Sequence, residues 1–153
     1  MDIVRINMCK MLERRGYCIA TIETGDNYLR IPEVFMIFIP DVKVTVGHVK
    51  SIISSRLSDE KIIIAHTMSI TSEARNMLSV TKDIQTFTYD EMGFDICEVI
   101  PKHEKVNGPK HKDWKLFPIL LQTDIACRYF DFKKGDVIKV TEDDDTISYR
   151  KVI

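Results

Sequence analysis

The sequence has no excess charge of either sign: 22 lysines and arginines face 23 aspartates and glutamates, for a formal charge of −1. A free-standing nucleic-acid binder draws most of its affinity from surplus Lys and Arg that neutralise phosphates, so this balance excludes that class. Any DNA contact must be local or shared with partners. Long apolar runs are also missing. The most continuous one, Val34 to Pro40, falls far short of the roughly 20 residues of a bilayer span, and no apolar core follows basic residues at the N-terminus. These absences predict an intracellular protein. Six glycines and five prolines in 153 residues exclude collagen-like and low-complexity disordered chains. The four cysteines, Cys9, Cys18, Cys97 and Cys127, form no C-x-x-C pair, and the expectation is reduced, mostly buried thiols. What remains is an ordinary globular composition, 44% hydrophobic, long enough for one domain of usual size or two small ones.

Apolar residues Val4, Met8, Met11 and Leu12 fall on one stripe of a helix, with Arg14 and Arg15 suited to its last turn and Gly16 to its end. Tyr17 to Ile22 reads as a short strand closed by the turn Gly25-Asp26-Asn27, and Glu33 to Ile39 as a second strand buried on both faces. After Pro40-Asp41, the residues Val46, Val49, Ile52, Ile53 and Leu57 keep helical spacing. The polar Ser58-Asp59-Glu60 then leads into a third buried strand, Lys61 to His66. A helix starts at Thr71 or Ser72, with Glu73 in its first turn and Met77 and Leu78 inward, and Ile84 to Tyr89 is one more strand. The alternation of strand and helix predicts a layered α/β domain over residues 1–92.

Past Gly93 the character changes. Residues 101–115 hold five lysines, Lys102, Lys105, Lys110, Lys112 and Lys115, against Glu104 and Asp113, with a turn signal at Asn107-Gly108-Pro109. A short helix capped by Asp124 follows, and it stops before Lys133-Lys134-Gly135-Asp136. Strands Val137 to Val140 and Ile147 to Ile153 flank the acidic turn Glu142 to Asp145. Residues 93–153 therefore form a second, small α+β unit with a mostly antiparallel sheet. Its core is marginal alone and would gain from docking on something larger. The fold class expected of the whole chain is α+β.

Three islands in this second unit carry a resemblance: Val99-Ile100-Pro101-Lys102-His103-Glu104, Phe117-Pro118-Ile119, and the run from Thr123 through Arg128-Tyr129-Phe130 and Lys133-Lys134-Gly135-Asp136 to Val140, with Tyr149-Arg150 fitting near the end. In order and type they resemble the assembly domain of the fifth-largest subunit shared by the eukaryotic nuclear RNA polymerases and of its shorter counterpart in archaeal RNA polymerase. Leu12 to Tyr17, Val46 to Ile53, Ile62 to Ile64 and Ile70-Thr71-Ser72-Glu73-Ala74 resemble, in the same order, the jaw domain that precedes it in the eukaryotic subunit. Ile125 stands where the family usually has proline at the first helical position. The family's helical segment is abbreviated to Lys105 through Leu116, and its polar hairpin loop is replaced by Glu142 to Asp145. So compact a version would suit a large DNA virus encoding its own polymerase.

The resemblance implies a non-catalytic subunit of a multisubunit DNA-directed RNA polymerase, with no cofactor of its own; Mg²⁺ and zinc would belong to other chains. The second domain would dock on the largest subunit, with Pro101, Lys102, His103, Pro118, Asp124, Arg128, Tyr129, Lys133, Lys134, Gly135, Asp136, Tyr149 and Arg150 as interface or fold positions. The first would form part of the jaw around downstream duplex DNA, where Thr71, Ser72 and Arg75 at a helix N-terminus would make backbone contacts that read no bases. The site of action would be the nucleus for a cellular protein, and a cytoplasmic virus factory or the virion for a viral one. Two alternatives compete. Pro40-Asp41 with Asp59-Glu60-Lys61 satisfies a loose metal-dependent nuclease pattern, in which two carboxylates hold Mg²⁺ and a lysine helps activate water. A stand-alone adaptor would have kept the fold and lost the polymerase. His48, His66, His103 and His111 lack zinc spacings, the acidic turn lacks the ligand pattern of a calcium loop, and no phosphate-binding glycine loop or G-x-S-x-G elbow occurs.

Overall fold

Residues 2–108 and 111–153 are described by a computed structural model. The chain divides into two units, Met1–Phe94 and Asp95–Ile153, against the sequence-based division after residue 92. Pro109 of the expected turn and Lys110 of the basic stretch lie outside the described residues. The mixed composition of helices and sheets is that of the α+β class.

Helix α1 (Ile3–Arg14) opens the first unit. Asp2 caps it by accepting the Arg5 N–H at 2.9 Å, and Val4, Met8, Met11 and Leu12 are buried along one stripe. It ends in a Schellman motif: Tyr17 N–H donates to Leu12 C=O and Gly16 N–H to Glu13 C=O, with Gly16 at φ +88°. This cap overturns the strand expected at Tyr17 to Ile22. The Tyr17 amide closes the helix, Ile22 N–H turns back to Ile19, and pairing begins only at β1 (Glu23–Thr24). The Gly25-Asp26-Asn27 turn leads into β2 (Tyr28–Ile31), and Pro32-Glu33 into β3 (Val34–Ile39), whose six residues are all buried.

From β3 the chain alternates through α2 (Val46–Ser54), β4 (Lys61–His66), α3 (Ser72–Val80) and β5 (Ile84–Thr88), then ends the unit with the short α4 (Tyr89–Met92). Helix α2 stops three residues before the expected Leu57, which is exposed. The sheet runs β1-β2-β3-β4-β5. The first two pairings are antiparallel and the last two parallel, so β3 to β5 are joined by two helical crossovers. Phe35, Ile37 and Ile39 of β3 share a face with Ile62 and Ile64 of β4, and this face packs on Val49 and Ile52 of α2 and Ala74 of α3. The opposite face belongs to α1: Arg5 lies over the Phe38 ring at 4.7 Å, Arg15 donates to Gln85 of β5 at 2.9 Å, and the buried Asn7 Nδ2 donates to Met92 C=O of α4 at 2.9 Å. Two apolar layers on one sheet explain why β3 and β4 are unbroken hydrophobic runs rather than alternating ones.

The second unit begins with a single 3₁₀ turn at Ile96–Glu98. It continues with β6 (Lys102–Lys105), a second 3₁₀ turn at Trp114–Leu116, β7 (Ile119–Leu120), α5 (Ile125–Phe130), β8 (Val137–Thr141) and β9 (Ile147–Val152). Its sheet runs β6-β8-β9-β7, antiparallel except for the two-residue pairing of β7 with β9. Cys127, Phe132, Ile138, Val140 and Val152 form its core, with Leu120 and Phe130 packed alongside.

Candidate functional site

At the carboxyl ends of β3 and β4, a bridge between Val44 and Ile70 sets the two following helices side by side. Open α/β sheets bind ligands at this edge. Thr45 caps α2 in a reciprocal arrangement in which His48 Nδ1 accepts the Thr45 N–H at 3.2 Å. Thr71 caps α3, its Oγ1 accepting the Ala74 N–H at 3.3 Å. Of the DNA-proximal candidates, Thr71 is half-buried and uses its hydroxyl for the helix, whereas Ser72 and Arg75 are exposed. His66 is buried beside this edge, and its Nδ1 lies 2.7 Å from Met68 C=O, so that nitrogen carries the proton it donates.

The carboxylates of the nuclease pattern do not converge. Asp41 follows the carboxyl end of β3, while Asp59 and Glu60 precede the amino end of β4, its parallel neighbour. The six-residue strand between these ends separates them by about 20 Å, too far for one metal ion to bridge. Each acid also has another occupation. Asp41 and Asp59 are in the left-handed region at φ 59° and 65°, as are Asp83, Asp131 and Asp145, and these five aspartates are the non-glycine residues with positive φ among those described. A short polar side chain that bonds locally tolerates that conformation. Glu60 is buried against Arg30, with Oε1 3.0 Å from Nε, and its Oε2 accepts the Leu57 N–H at 2.8 Å. Among the described residues no three His, Cys, Asp or Glu side chains gather where a metal ion could sit.

In the second unit the resemblance residues fall into two groups. One group builds the turns and the helix. Asp124 caps α5 through the Ala126 N–H at 2.8 Å, and Arg128 Nε donates to Thr123 C=O at 3.1 Å. Gly135 takes φ +90° in a turn closed by Asp136, whose Oδ2 accepts the Lys133 N–H at 2.8 Å and whose Oδ1 pairs with Lys105 at 2.8 Å. Lys133 pairs with Asp131 at 2.6 Å. His103 Nδ1 lies 2.7 Å from Pro101 C=O, and Pro118 C=O accepts the Lys151 N–H at 2.9 Å. Tyr129 is 1% exposed and meets Phe130 edge to face, so it is a core residue and not a contact residue.

The other group is accessible. Lys102, Lys134 and Tyr149 are exposed and Arg150 is half-buried. Lys102 pairs with Glu104 at 2.9 Å, and the hydrogen bond from Lys102 holds the Glu104 carboxyl below its usual range. Sequence reasoning missed Ile147 as a surface residue, although Ile147-Ser148-Tyr149-Arg150-Lys151-Val152 carries apolar side chains on both parities, the sign of a strand with two apolar faces. The thiol expectation is corrected as well: Cys127 alone is buried, which pushes its pKa up to about 11, Cys9 and Cys97 are half-buried, and Cys18 is exposed.

Among the described residues no helix is long and apolar enough to cross a membrane. No protein-family model matches the chain. It is 33% identical over 91 residues to uncharacterized protein 092R of Invertebrate iridescent virus 3, a match that covers 60% of this chain and 53% of that protein. It is 28% identical over 87 residues to uncharacterized protein 028R of Frog virus 3, covering 54% of each. The chain thus spans about half the length of the curated relatives it matches, and those relatives are viral proteins.

Proposed function

We propose that the protein is a non-catalytic subunit of a multisubunit DNA-directed RNA polymerase. The observation that carries this reading is the collinear run from Thr123 to Val140, which resembles the polymerase assembly domain in residue type and order. The folded unit gives those residues compatible work: a capped helix, a glycine turn at positive φ and a strand in one small sheet. Such a unit is too small to bury an ample core alone, which suits a domain that docks on a larger chain. The first unit would serve as part of the downstream jaw, offering Ser72 and Arg75 beside the α3 N-terminus to a phosphate backbone. Viral relatives support a polymerase of viral origin, acting in a virus factory or the virion.

The test is purification of the tagged protein from its native source under gentle salt. Two very large polymerase subunits in stoichiometric amounts, with template-dependent RNA synthesis, are the expected companions; recovery of the protein alone from both N- and C-terminally tagged forms would overturn the reading. Tyr129→Asp is a poor probe of assembly because Tyr129 is buried in its own unit. Lys134→Glu, on an exposed turn position, is the better one and should lower incorporation without unfolding the chain.

A further inference from the structure

The two faces of the second unit's sheet are unlike. One is filled by α5 and the Phe132 that follows it, over Ile138, Val140 and Val152. Strand alternation and register place Lys139 of β8, Ile147, Tyr149 and Lys151 of β9 and Ile119 of β7 on the other. There Ile119 and Ile147 are each 51% exposed and Tyr149 41%. Exposed apolar side chains grouped on one face of so small a unit mark an interaction surface.

The charge around this apolar strip is sorted by position along the strands. At one end is the β8–β9 turn, where Glu142, Asp143, Asp144 and Asp145 are all exposed. At the other end Lys151 donates to the Lys115 carbonyl, and the exposed Lys112 and Lys115 lie nearby, against Asp113 beside His111. His111 stacks on Phe117 and Phe117 on Tyr149, which holds the segment carrying these lysines against the face. The other acids have cations of their own: Glu104 pairs with Lys102 at 2.9 Å and stands opposite Lys139, and Asp136 pairs with Lys105 at 2.8 Å.

A surface that is acidic at one end, basic at the other and apolar between is complementary to itself. A two-fold axis normal to the face and close to Tyr149 turns the acidic end of each copy onto the basic end of the other, and every contact is made twice. A two-fold axis along the strands would set acids on acids, so the charge selects one arrangement. An occupant of a single charge sign would be repelled by one end or the other.

We propose that this face joins two copies of the chain, with Ile119, Ile147 and Tyr149 packed about the axis and Glu142 and Asp143 of each copy facing Lys112 and Lys115 of the other. Four short strands make a small contact area, so the dimer belongs to the weak, reversible class. The inference concerns the free chain and does not rest on the polymerase reading.

The experiment is sedimentation equilibrium of the full chain from about 1 µM to about 1 mM. A monomer–dimer equilibrium is expected that weakens as salt rises from about 0.05 to about 0.5 M. Glu142→Lys/Asp143→Lys and Lys112→Glu/Lys115→Glu should each weaken it at least about tenfold. An equimolar mixture of these two variants should recover the dimer, because their reversed ends then oppose each other and so do their native ends. Ile147→Ser in both chains of that mixture should weaken it again by about tenfold, which plain attraction between oppositely charged proteins would not show. Far-UV circular dichroism identifies any variant that has unfolded, and the salt dependence of the unaltered chain needs no variant. A monomer up to about 1 mM, or a dimer that salt and both reversals leave intact, overturns the proposal. So does a mixture that associates no better than either variant alone, or one that Ile147→Ser leaves as strong.

Discussion

Glu60 is 1% exposed and ties together three parts of the first unit. Its side chain faces Arg30 Nε at 3.0 Å and accepts the Leu57 N–H at 2.8 Å, while Arg30 lies over the Phe35 ring at 3.8 Å and donates to Ser55 C=O at 2.8 Å. Breaking a fully buried pair costs about 3–5 kcal/mol because the surviving charge keeps its desolvation penalty. Arg30 retains 20% exposure, which softens that penalty. Glu60→Gln is therefore expected to destabilise the first unit by about 2 kcal/mol. Urea unfolding would show this as a lower midpoint at unchanged slope; a wild-type midpoint would mean that the pair contributes nothing. At this scale the sequence misleads, since Asp59-Glu60-Lys61 looks like metal chemistry and is an αL turn followed by an ion pair. Arg30 lies 30 positions before Glu60, so no local pattern announces it.

Elements were legible where local and tertiary preferences agree. Helices α1, α2 and α3 follow the apolar spacing of their sequences, and α3 starts at the expected Thr71 cap, because caps and stripes depend on residues within one or two turns. The buried runs at Val34 to Ile39 and Lys61 to His66 are strands for the reason their composition suggests. Between α1 and β3 the reading fails. Tyr17 to Ile22 has β-prone residues but its first amide belongs to the Schellman motif, whereas Tyr28–Ile31, for which the sequence predicts no element, pairs antiparallel with β3. Strand identity depends on a partner, and the partner is not local. Helix α5 survives the loss of the family's proline because Asp124 provides the cap. Asp124→Ala should accordingly cost about 1 kcal/mol. The check is thermal unfolding of the second unit followed through its near-ultraviolet signal, and an unchanged transition would place the cap's contribution near zero.

On the scale of the whole molecule, the balanced charge makes a firm statement about DNA. A chain with formal charge −1 brings no surplus cation to a duplex, so contacts at Ser72 and Arg75 would be expected to hold DNA mainly where partners neutralise further phosphates. The free protein is expected to shift no duplex DNA below about 10 µM at physiological salt. A complex at nanomolar concentration in a gel-shift assay would mean that the first unit binds DNA on its own account. Charge, the lack among the described residues of a helix long and apolar enough to cross a membrane, and the α+β class were all determined by the sequence, because they are sums over residue types or patterns of short range. The fate of individual acids and aromatics was not. Asp41 and Asp59 stand at opposite ends of parallel strands, Tyr129 turns inward, and Ile147 and Tyr149 turn outward from the same small sheet. Only the tertiary structure decides such matters, because strand pairing and register fix which side chains share a face and which ends of the sheet they occupy.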